Sequence, residues 1–406
     1  MSDADAPHLS RRVWIMIGAA AAIVTLSMGI RQAFGLFLAP LTMDMGIDRQ
    51  TFGFIVAVQN LLFGLAQPFV GALADRRGAG VIAVAGALAY AIGLTVAGLA
   101  PSALGLTIGL GVLTGTAMSG AAFVVVLGAV GKVVPAHRRT LAFGLVTAGG
   151  SLGQFLVVPL TQALIDAFDW RVTLFGLAAL VALVIPLAVG VAGKPPAADH
   201  RDGPALKPAL AEAFAHPSFW MLNFGFFVCG FQLAFVGFHL PAYLRDGGLD
   251  PSIGAACLAL IGLFNIAGSW LWGAWGSKGS KKGLLALLYG LRGLSMIVFV
   301  LVPLSSASAL VFAAVSGFLW LGTLPLTNGL VAQIYGLRHL SALAGIVFLS
   351  HQVGAFLGAW LAGLIFDATG SYSLMWIASI ALALTAPVAN LPIKEAPLVR
   401  TALPAE

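Results

Sequence analysis

The side chains that could do chemistry in this sequence are few and mostly basic. Arg31 and Arg292 each interrupt a long apolar run, and His351 lies in a third. None of the 15 acidic residues lies deep in such a run. A guanidinium costs roughly 3 to more than 10 kcal/mol to place in hydrocarbon, so it should face a water-filled cavity or a partner. These residues therefore favour the binding of an anion.

Arg31 is the best placed of the three. It follows the start of its run, Val13, by 18 residues, which is about 27 Å of helix at about 1.5 Å per residue. The run continues to Met43, so Arg31 lies well inside it. The alternative interpretation is an arginine whose charge extends from a helix end to the membrane surface.

His351 and Arg292 each leave alternatives open. His351 could titrate near neutral pH or bond to a substrate, or it could be a neutral histidine bonded to a carbonyl. Arg292 could contact the cavity, brace a neighbouring helix or reach lipid phosphate. We assign both to a possible coupling or second cationic site.

Neutral amides in the apolar runs could line a pathway or could join helices by hydrogen bonds. With Arg31 and His351, the predicted substrate-binding residues are Gln59, Gln232, Asn265, Asn328 and Gln352. The sequence contains no nucleotide-binding loop, metal-ligand cluster or nucleophile–base arrangement. We therefore expect no enzyme, no cofactor and no bound metal.

The elements that position these residues are membrane helices. The 406 residues are 60% hydrophobic and only 9% charged, with a mean hydropathy of +0.99. So little charge cannot cover a soluble domain, which indicates a polytopic membrane protein. Cys229 and Cys257 have no metal-binding spacing, and the net charge of +6 does not indicate nucleic acid.

Twelve apolar runs are long enough to span a membrane, so the predicted fold class is all-α with twelve transmembrane helices. They fall near 13–43, 51–74, 80–100, 103–131, 140–165, 170–192, 218–244, 252–275, 283–303, 307–334, 340–366 and 372–392. A Pro-rich polar segment separates the sixth from the seventh. We expect a six-helix bundle over 1–192, a cytoplasmic linker over 193–217 and a second six-helix bundle over 218–406.

The basic residues set the expected orientation. With the N-terminus inside, sixteen of the 21 Lys and Arg residues fall in inner segments, three (Arg49, Arg171 and Arg245) in outer loops and two in the spans. Positive charge is retained on the cytoplasmic side, so both termini are expected there. We place the protein in the plasma membrane, specifically the bacterial inner membrane.

The two halves repeat at an offset of about 201 residues. Gly29, Ala33, Phe34, Phe37 and Pro40 recur as Gly230, Ala234, Phe235, Phe238 and Pro241, and Gly153, Phe155 and Asp166 recur as Gly354, Phe356 and Asp367. Six spans in each half make the repeats parallel, and such transporters bind substrate between their halves near the midplane. The halves differ where Arg31 corresponds to Gln232 and where Gly150 corresponds to His351.

The loop after the second span resembles a signature of the major facilitator superfamily. It reads Gly71-Ala-Leu-Ala-Asp75-Arg76-Arg77-Gly78, against the family's G-x-L-a-D-R-x-G-x-R/K. The resemblance implies a gate on the cytoplasmic side formed by Gly71, Asp75, Arg76, Arg77 and Gly78. If the loop were basic only because it lies on the cytoplasmic side, the arginines would be explained but Asp75 would not.

Within that superfamily the chain resembles the monocarboxylate porters and their oxalate/formate-exchanger relatives. Those porters use a basic residue late in the first helix for the substrate anion, and Arg31 matches it. Their eighth helix carries an Asp and an Arg four residues apart, where this chain has Asn265 and Ser269. Any proton coupling is therefore expected through His351, or the carrier works as an anion exchanger.

The predicted function is secondary active transport of a small organic anion, a mono- or dicarboxylate, by alternating access. The expected partners are that anion and membrane lipid, with no nucleic acid, and the expected functional unit is a monomer. The alternatives are a drug or amphipath efflux transporter, which would want a buried carboxylate that is missing here, and a lipid flippase.

Overall fold

The chain folds entirely into helices over the residues that the structure, a computed structural model, describes: 10–100, 102–121, 123–134, 136–191, 206–336 and 340–398. The spans are α1 (Arg11–Met45), α2 (Arg49–Arg77), α3 (Ala79–Leu99), α4 (Ala103–Met118 and Phe123–Val133), α5 (Ala136–Ala167), α6 (Trp170–Val191), α7 (Pro217–Asp246), α8 (Pro251–Lys278), α9 (Lys281–Leu301), α10 (Ser306–Phe318 and Thr323–Tyr335), α11 (Leu340–Thr369) and α12 (Ser373–Asn390). A short helix, Leu206–Ala215, precedes α7. The predicted all-α fold with twelve spans is confirmed.

Acidic side chains begin several of these helices. Asp48, Asp169 and Asp250 accept hydrogen bonds from the first-turn amides of α2, α6 and α8. A carboxylate there satisfies otherwise unpaired N–H groups and opposes the positive end of the helix dipole. At the other end of α2, Gly78 has a φ of 95°, so the chain turns into α3 through a conformation that side chains rarely adopt.

Several spans are interrupted within the described residues, although their apolar runs are continuous; the breaks in α1, α4 and α10 matter for the site. In α1 the α-helix ends at Gln32 and a 3₁₀ turn, Phe34–Phe37, follows. The breaks in α4 and α10 occur after Met118 and after Phe318, at nearly the same point of the two repeats. Each break frees backbone groups that need partners inside the membrane.

Glycines at equivalent positions of the two halves allow the same close packing of helices. Gly29 of α1 lies against Gly153 of α5, and Gly230 of α7 lies against the backbone of His351 on α11. Gly354, the counterpart of Gly153, also lies against α7, at the backbone of Phe227. At each of these glycines an added methyl group would overlap the facing backbone, so small residues permit the close helix approach.

The N-terminal half (α1–α6) and the C-terminal half (α7–α12) meet through α2 with α11 and through α5 with α8. We call the side on which α1 begins the terminal face and the opposite side, on which α2 begins, the distal face. Arg49, Asp246 and Asp367 lie at the distal face, and Arg31 lies between the two faces.

Candidate substrate site

Arg31 lies just before the interruption of α1, which leaves its guanidinium inside the bundle. Its Nη2 donates to Oδ1 of Asn60 on α2 at 2.5 Å, and its charge lies 5.8 Å from the centre of the Phe63 ring. Its Nε is buried and has no hydrogen-bond partner. Among the described residues no carboxylate pairs with Arg31. The site thus holds a positive charge with an unused donor.

A chain of hydrogen bonds joins this arginine to the other half. The backbone carbonyl of Asn60 accepts from Nε2 of Gln352 on α11 at 2.7 Å. Oε1 of Gln352 lies 2.9 Å from Nδ1 of His351, which in turn contacts the thiol of Cys229 on α7. Arg31, Gln352 and His351 were all predicted site residues, and the structure brings them together across the interface.

Aromatic rings surround the middle of this chain. Phe63 of α2 meets Phe348 of α11 edge to face at 6.1 Å, and Phe348 stacks on the His351 ring at 5.6 Å. Phe226 of α7 contacts both Phe348 and His351. The surroundings of Arg31 therefore combine one cation with an apolar wall contributed mainly by the other half.

Arg292 reaches into the C-terminal half, where both of its Nη groups bond to protein, although its Nε, like that of Arg31, is buried without a partner among the described residues. Its side chain is 2% exposed, and Nη1 donates to Oε1 of Gln232 at 3.2 Å. Its Nη2 donates to the carbonyls of Leu319 and Trp320, at 2.5 and 2.7 Å. These carbonyls are freed by the break in α10, so Arg292 supports that break.

Asn265 is also bonded to protein. Its Nδ2 donates to Ser151 of α5 at 2.9 Å, and its Oδ1 accepts from the amide of Leu321 and from Ser269. It thereby connects α8 to the other half and to the α10 break.

The remaining predicted amides lie in two different places. Gln59 donates to the carbonyl of Leu110 at 2.8 Å, in a π-helical turn of α4, while its Oε1 is buried without a partner. Asn328 is partly exposed on the second segment of α10. Among the described residues, neither Gln59 nor Asn328 bonds to the side chain of Arg31.

The predicted gate lies at the terminal face, where α2 ends. The backbone of this segment is helical up to Arg77, whose side chain is exposed, and Gly71 is partly exposed. The side chains of Asp75 and Arg76 lie outside the described residues. Gly78 supplies the turn described above.

The distal face carries a polar group that sequence reasoning did not assemble, which we call the distal lock: Arg49, Asp246, Asp367 and Tyr372. Arg49 of α2 binds both carboxylate oxygens of Asp246 on α7, at 2.5 and 2.7 Å. It also donates to the Tyr372 hydroxyl at 2.9 Å. The Asp367 carboxylate accepts from the amides of Arg49 and Gln50. The available signal was that Arg49 is one of only three basic residues in the predicted outer loops.

An open pocket lies where α1, α5 and α8 meet. A cavity of about 510 Å³ is lined by α1, α5 and Ile266 of α8. Its walls are mostly alanine and leucine, with Thr25 on α1. In the part of the chain that is described, no group of three His, Cys, Asp or Glu side chains could hold a metal ion.

Two helical halves that meet around a buried cation, joined at one face by the Arg49–Asp246 ion pair, are typical of a membrane transport protein. The family model of the Major Facilitator Superfamily matches residues 17–348, and the chain belongs to this family. It is a transporter and not an enzyme.

Named relatives refine the similarity. The chain is 29% identical over 388 residues to human "Monocarboxylate transporter 11", covering 92% of this chain and 81% of that protein. It is 28% identical over 362 residues to the MFS-type transporter YcxA of Bacillus subtilis, covering 85% and 86%. The predicted resemblance to the monocarboxylate branch is therefore confirmed.

Among solved structures, a bacterial homologue of the human lysosomal transporter Spinster, inward-facing and occupied, matches with a TM-score of 0.75. The match covers 94% of this chain and 97% of that one at 16% identity, so it shows the fold. The unoccupied inward-facing form matches with a TM-score of 0.71.

Proposed function

We propose that this transporter carries a small organic anion, a mono- or dicarboxylate, by secondary active transport with alternating access. The observation that carries the proposal is the Arg31 guanidinium, which is held by Asn60, has no described acidic partner and keeps a buried Nε free. A guanidinium offers paired donors that match a carboxylate. The monocarboxylate transporters among the relatives support the same substrate class.

The hydrogen-bonded chain gives binding a route to conformational change. Arg31 and Asn60 belong to the N-terminal half, whereas Gln352 and His351 belong to the C-terminal half, and one bond from Gln352 to Asn60 joins them. An anion that draws the guanidinium toward itself changes the bond to Asn60 next to this joint. Binding thereby changes the free-energy difference between the states that open to the two sides of the membrane, which a transported ligand must do.

The distal lock joins the two halves at the distal face, which fits a state that opens at the terminal face. The distribution of Lys and Arg supports a cytoplasmic terminal face in the bacterial inner membrane. The motif from Gly71 to Gly78 would then control the cytoplasmic opening. Residues 1–192 and 218–406 would be the rocking bundles, joined by the linker over 193–217.

The test is anion binding and counterflow with variants of Arg31. Purified wild type should be stabilised against heat by carboxylates, because a ligand of the folded state raises its apparent stability. Arg31→Gln should lose this effect, and Arg31→Lys should recover only part of it because an ammonium lacks the planar pair of donors. Arg171→Gln, at an exposed arginine of α6, is the matched control and should behave as wild type. Undiminished carboxylate binding by Arg31→Gln would refute the proposal.

A further inference from the structure

His239 of α7 connects the distal lock to the interior of the C-terminal half. The side chain is 0% exposed, and both of its ring nitrogens bond to protein. Nδ1 lies 3.0 Å from the hydroxyl of Tyr372, and Nε2 lies 2.9 Å from the carbonyl oxygen of Ala359 on α11. Tyr372 belongs to the distal lock, where its hydroxyl accepts from Arg49 at 2.9 Å. One side chain therefore separates this histidine from the contact between the halves.

The partners of His239 determine where its hydrogens lie. A carbonyl can only accept, so Nε2 carries a hydrogen and donates it to Ala359. The other nitrogen of a neutral imidazole is then an acceptor, and Nδ1 accepts from the Tyr372 hydroxyl. The tyrosine oxygen in turn accepts from Arg49. These bonds form a chain in which every hydrogen points the same way, and the chain is complete only when His239 is neutral.

A proton on Nδ1 is incompatible with this chain. It turns an acceptor into a donor, so Tyr372 loses the group to which it donates, and two cations face one phenolic oxygen. The nearest carboxylates are Asp246 of α7 and Asp367 of α11, which already bond to the side chain and the amide of Arg49. Among the described residues the ring of His239 bonds only to Tyr372 and Ala359. A buried charge without a partner is costly, so the closed distal face holds a neutral histidine.

Helix α2 of the other half covers this site while the distal face is closed. Gly53 lies against the carbonyl of Ala359, where an added methyl group would overlap the oxygen. Arg49, one turn earlier on α2, reaches Tyr372. Both contacts cross the interface between the halves, so both are lost when the distal face opens. Opening therefore removes a cation from the tyrosine and brings water to the histidine.

We propose that His239 is a proton-binding site that is occupied while the distal face is open and is emptied before that face closes. The proton stabilises the distal-open state, because only that state accommodates it. An exposed histidine titrates at about pH 6.5, so lowering the pH from about 7.5 to about 5.5 raises the ratio of distal-open to distal-closed molecules about tenfold. The proposal concerns the opening of the distal face, and it does not depend on the anion proposed above.

The test is double electron–electron resonance between spin labels at Phe168 and Leu301, which are exposed at the distal ends of α5 and α9, after alanine has replaced the native cysteines. The ratio of long to short distances should rise about tenfold over this pH range. His239→Gln keeps a donor and an acceptor but binds no proton, so its ratio should not change with pH. His216→Gln is the matched control, because Nδ1 of His216 also bonds to a tyrosine hydroxyl, that of Tyr335 at 2.9 Å, but at the terminal face. It should keep the tenfold rise.

A second measurement leaves His239 in place, so it decides the matter even if His239→Gln fails to fold. Deuterium exchange at the C2 position of histidine rings, read by mass spectrometry, reports whether water reaches each ring. The ring of His239 should exchange slowly in the wild type at pH about 7.5. It should exchange several-fold faster in Asp246→Asn, which removes the charge that holds Arg49 and favours the open distal face.

Four results would overturn the proposal. The first is a distance ratio in the wild type that does not change with pH, and the second is a full tenfold rise in His239→Gln. The third is a rise that is abolished by His351→Gln or by His216→Gln, which would place the proton elsewhere. The fourth is equal exchange at the His239 ring in wild type and Asp246→Asn, which would show that opening does not expose it. Anion binding by Arg31 is measured separately, so each of these results leaves the proposed function intact.

Discussion

The distal lock offers a perturbation that separates conformational control from substrate binding. Asp246→Asn keeps the shape of the side chain and its ability to accept a hydrogen bond, but it removes the charge that faces Arg49. The two side chains belong to different halves, and they must separate whenever the distal face opens. The substitution should therefore shift the transporter toward its distal-open state.

The expected size follows from the geometry of the pair. Fully exposed ion pairs contribute about 0.2–1 kcal/mol, and hydrogen bonds to charged groups contribute about 1.5–3 kcal/mol. Here the bond is bidentate, with Arg49 15% exposed and Asp246 37% exposed. Arg49 also keeps its contacts with Tyr372 and with the Phe366 ring, 3.7 Å away. We expect a loss of about 1.5 kcal/mol, which is about a tenfold change in the ratio of the two states.

The assay is double electron–electron resonance between spin labels at Phe168 and Leu301, which are exposed at the distal ends of α5 and α9. The native Cys229 and Cys257, both buried and free, are first replaced by alanine. The fraction of long distances should rise in Asp246→Asn. Asp44→Asn is the matched control, because Asp44 pairs with Arg171 inside one half. An unchanged distance distribution in Asp246→Asn, or an equal shift in Asp44→Asn, would refute the reasoning.

Two further predictions concern the interface around α11. His351→Ala should lower the melting temperature, because it removes the ring that stacks on Phe348 and the partner of Oε1 of Gln352 at 2.9 Å; a wild-type melting temperature would contradict this. Gly230→Ala should lower the melting temperature, because its methyl group meets the backbone of His351, at a cost of about 1–3 kcal/mol. Gly237→Ala, on the same helix with nothing within 4 Å, should be neutral or stabilising, and equal effects would contradict the packing argument.

The sequence predicted the features that depend on local composition or on a fixed spacing. The apolar runs near 13–43 and 51–74 became α1 and α2, which extend a few residues further at each end. The repeat aligned Gly29 with Gly230 and Gly153 with Gly354, and in the structure each of these glycines lies against the backbone of a facing helix. A charge within a continuous apolar run likewise singled out Arg31 before any partner was known.

Contacts between distant helices could not be predicted in the same way. The breaks in α4 and α10 could not be seen in the sequence, since the runs stay apolar through them. The freed backbone groups are satisfied by side chains from other helices. A hydropathy profile contains no information about such partners on other helices. Asn60 was one of many amides that could have met Arg31, and only packing selects it.

The comparison of the two halves leads to a last prediction, about the second buried arginine. In the N-terminal half the cation comes from α1, at Arg31, and bonds to Asn60 through Nη2. In the C-terminal half the equivalent position of α7 is Gln232, and the cation comes from α9 and bonds to Gln232 and to two carbonyls of the α10 break. Both arginines keep a buried Nε without a partner among the described residues. Arg292 bonds to protein through both Nη groups and Arg31 through Nη2 alone, so Arg31 has more donors left for a ligand.

The two arginines should therefore respond differently to the same substitution. Arg292→Gln leaves two buried carbonyls without their donor and should lower the melting temperature strongly, because breaking a buried charged network typically costs about 3–5 kcal/mol. Arg31→Gln removes a charge that only a ligand neutralises, so it should melt near wild type without ligand and lose carboxylate binding. Thermal unfolding with and without pyruvate measures both effects. If Arg292→Gln instead melted as wild type and lost pyruvate binding, the cation of the C-terminal half would be a second anion site.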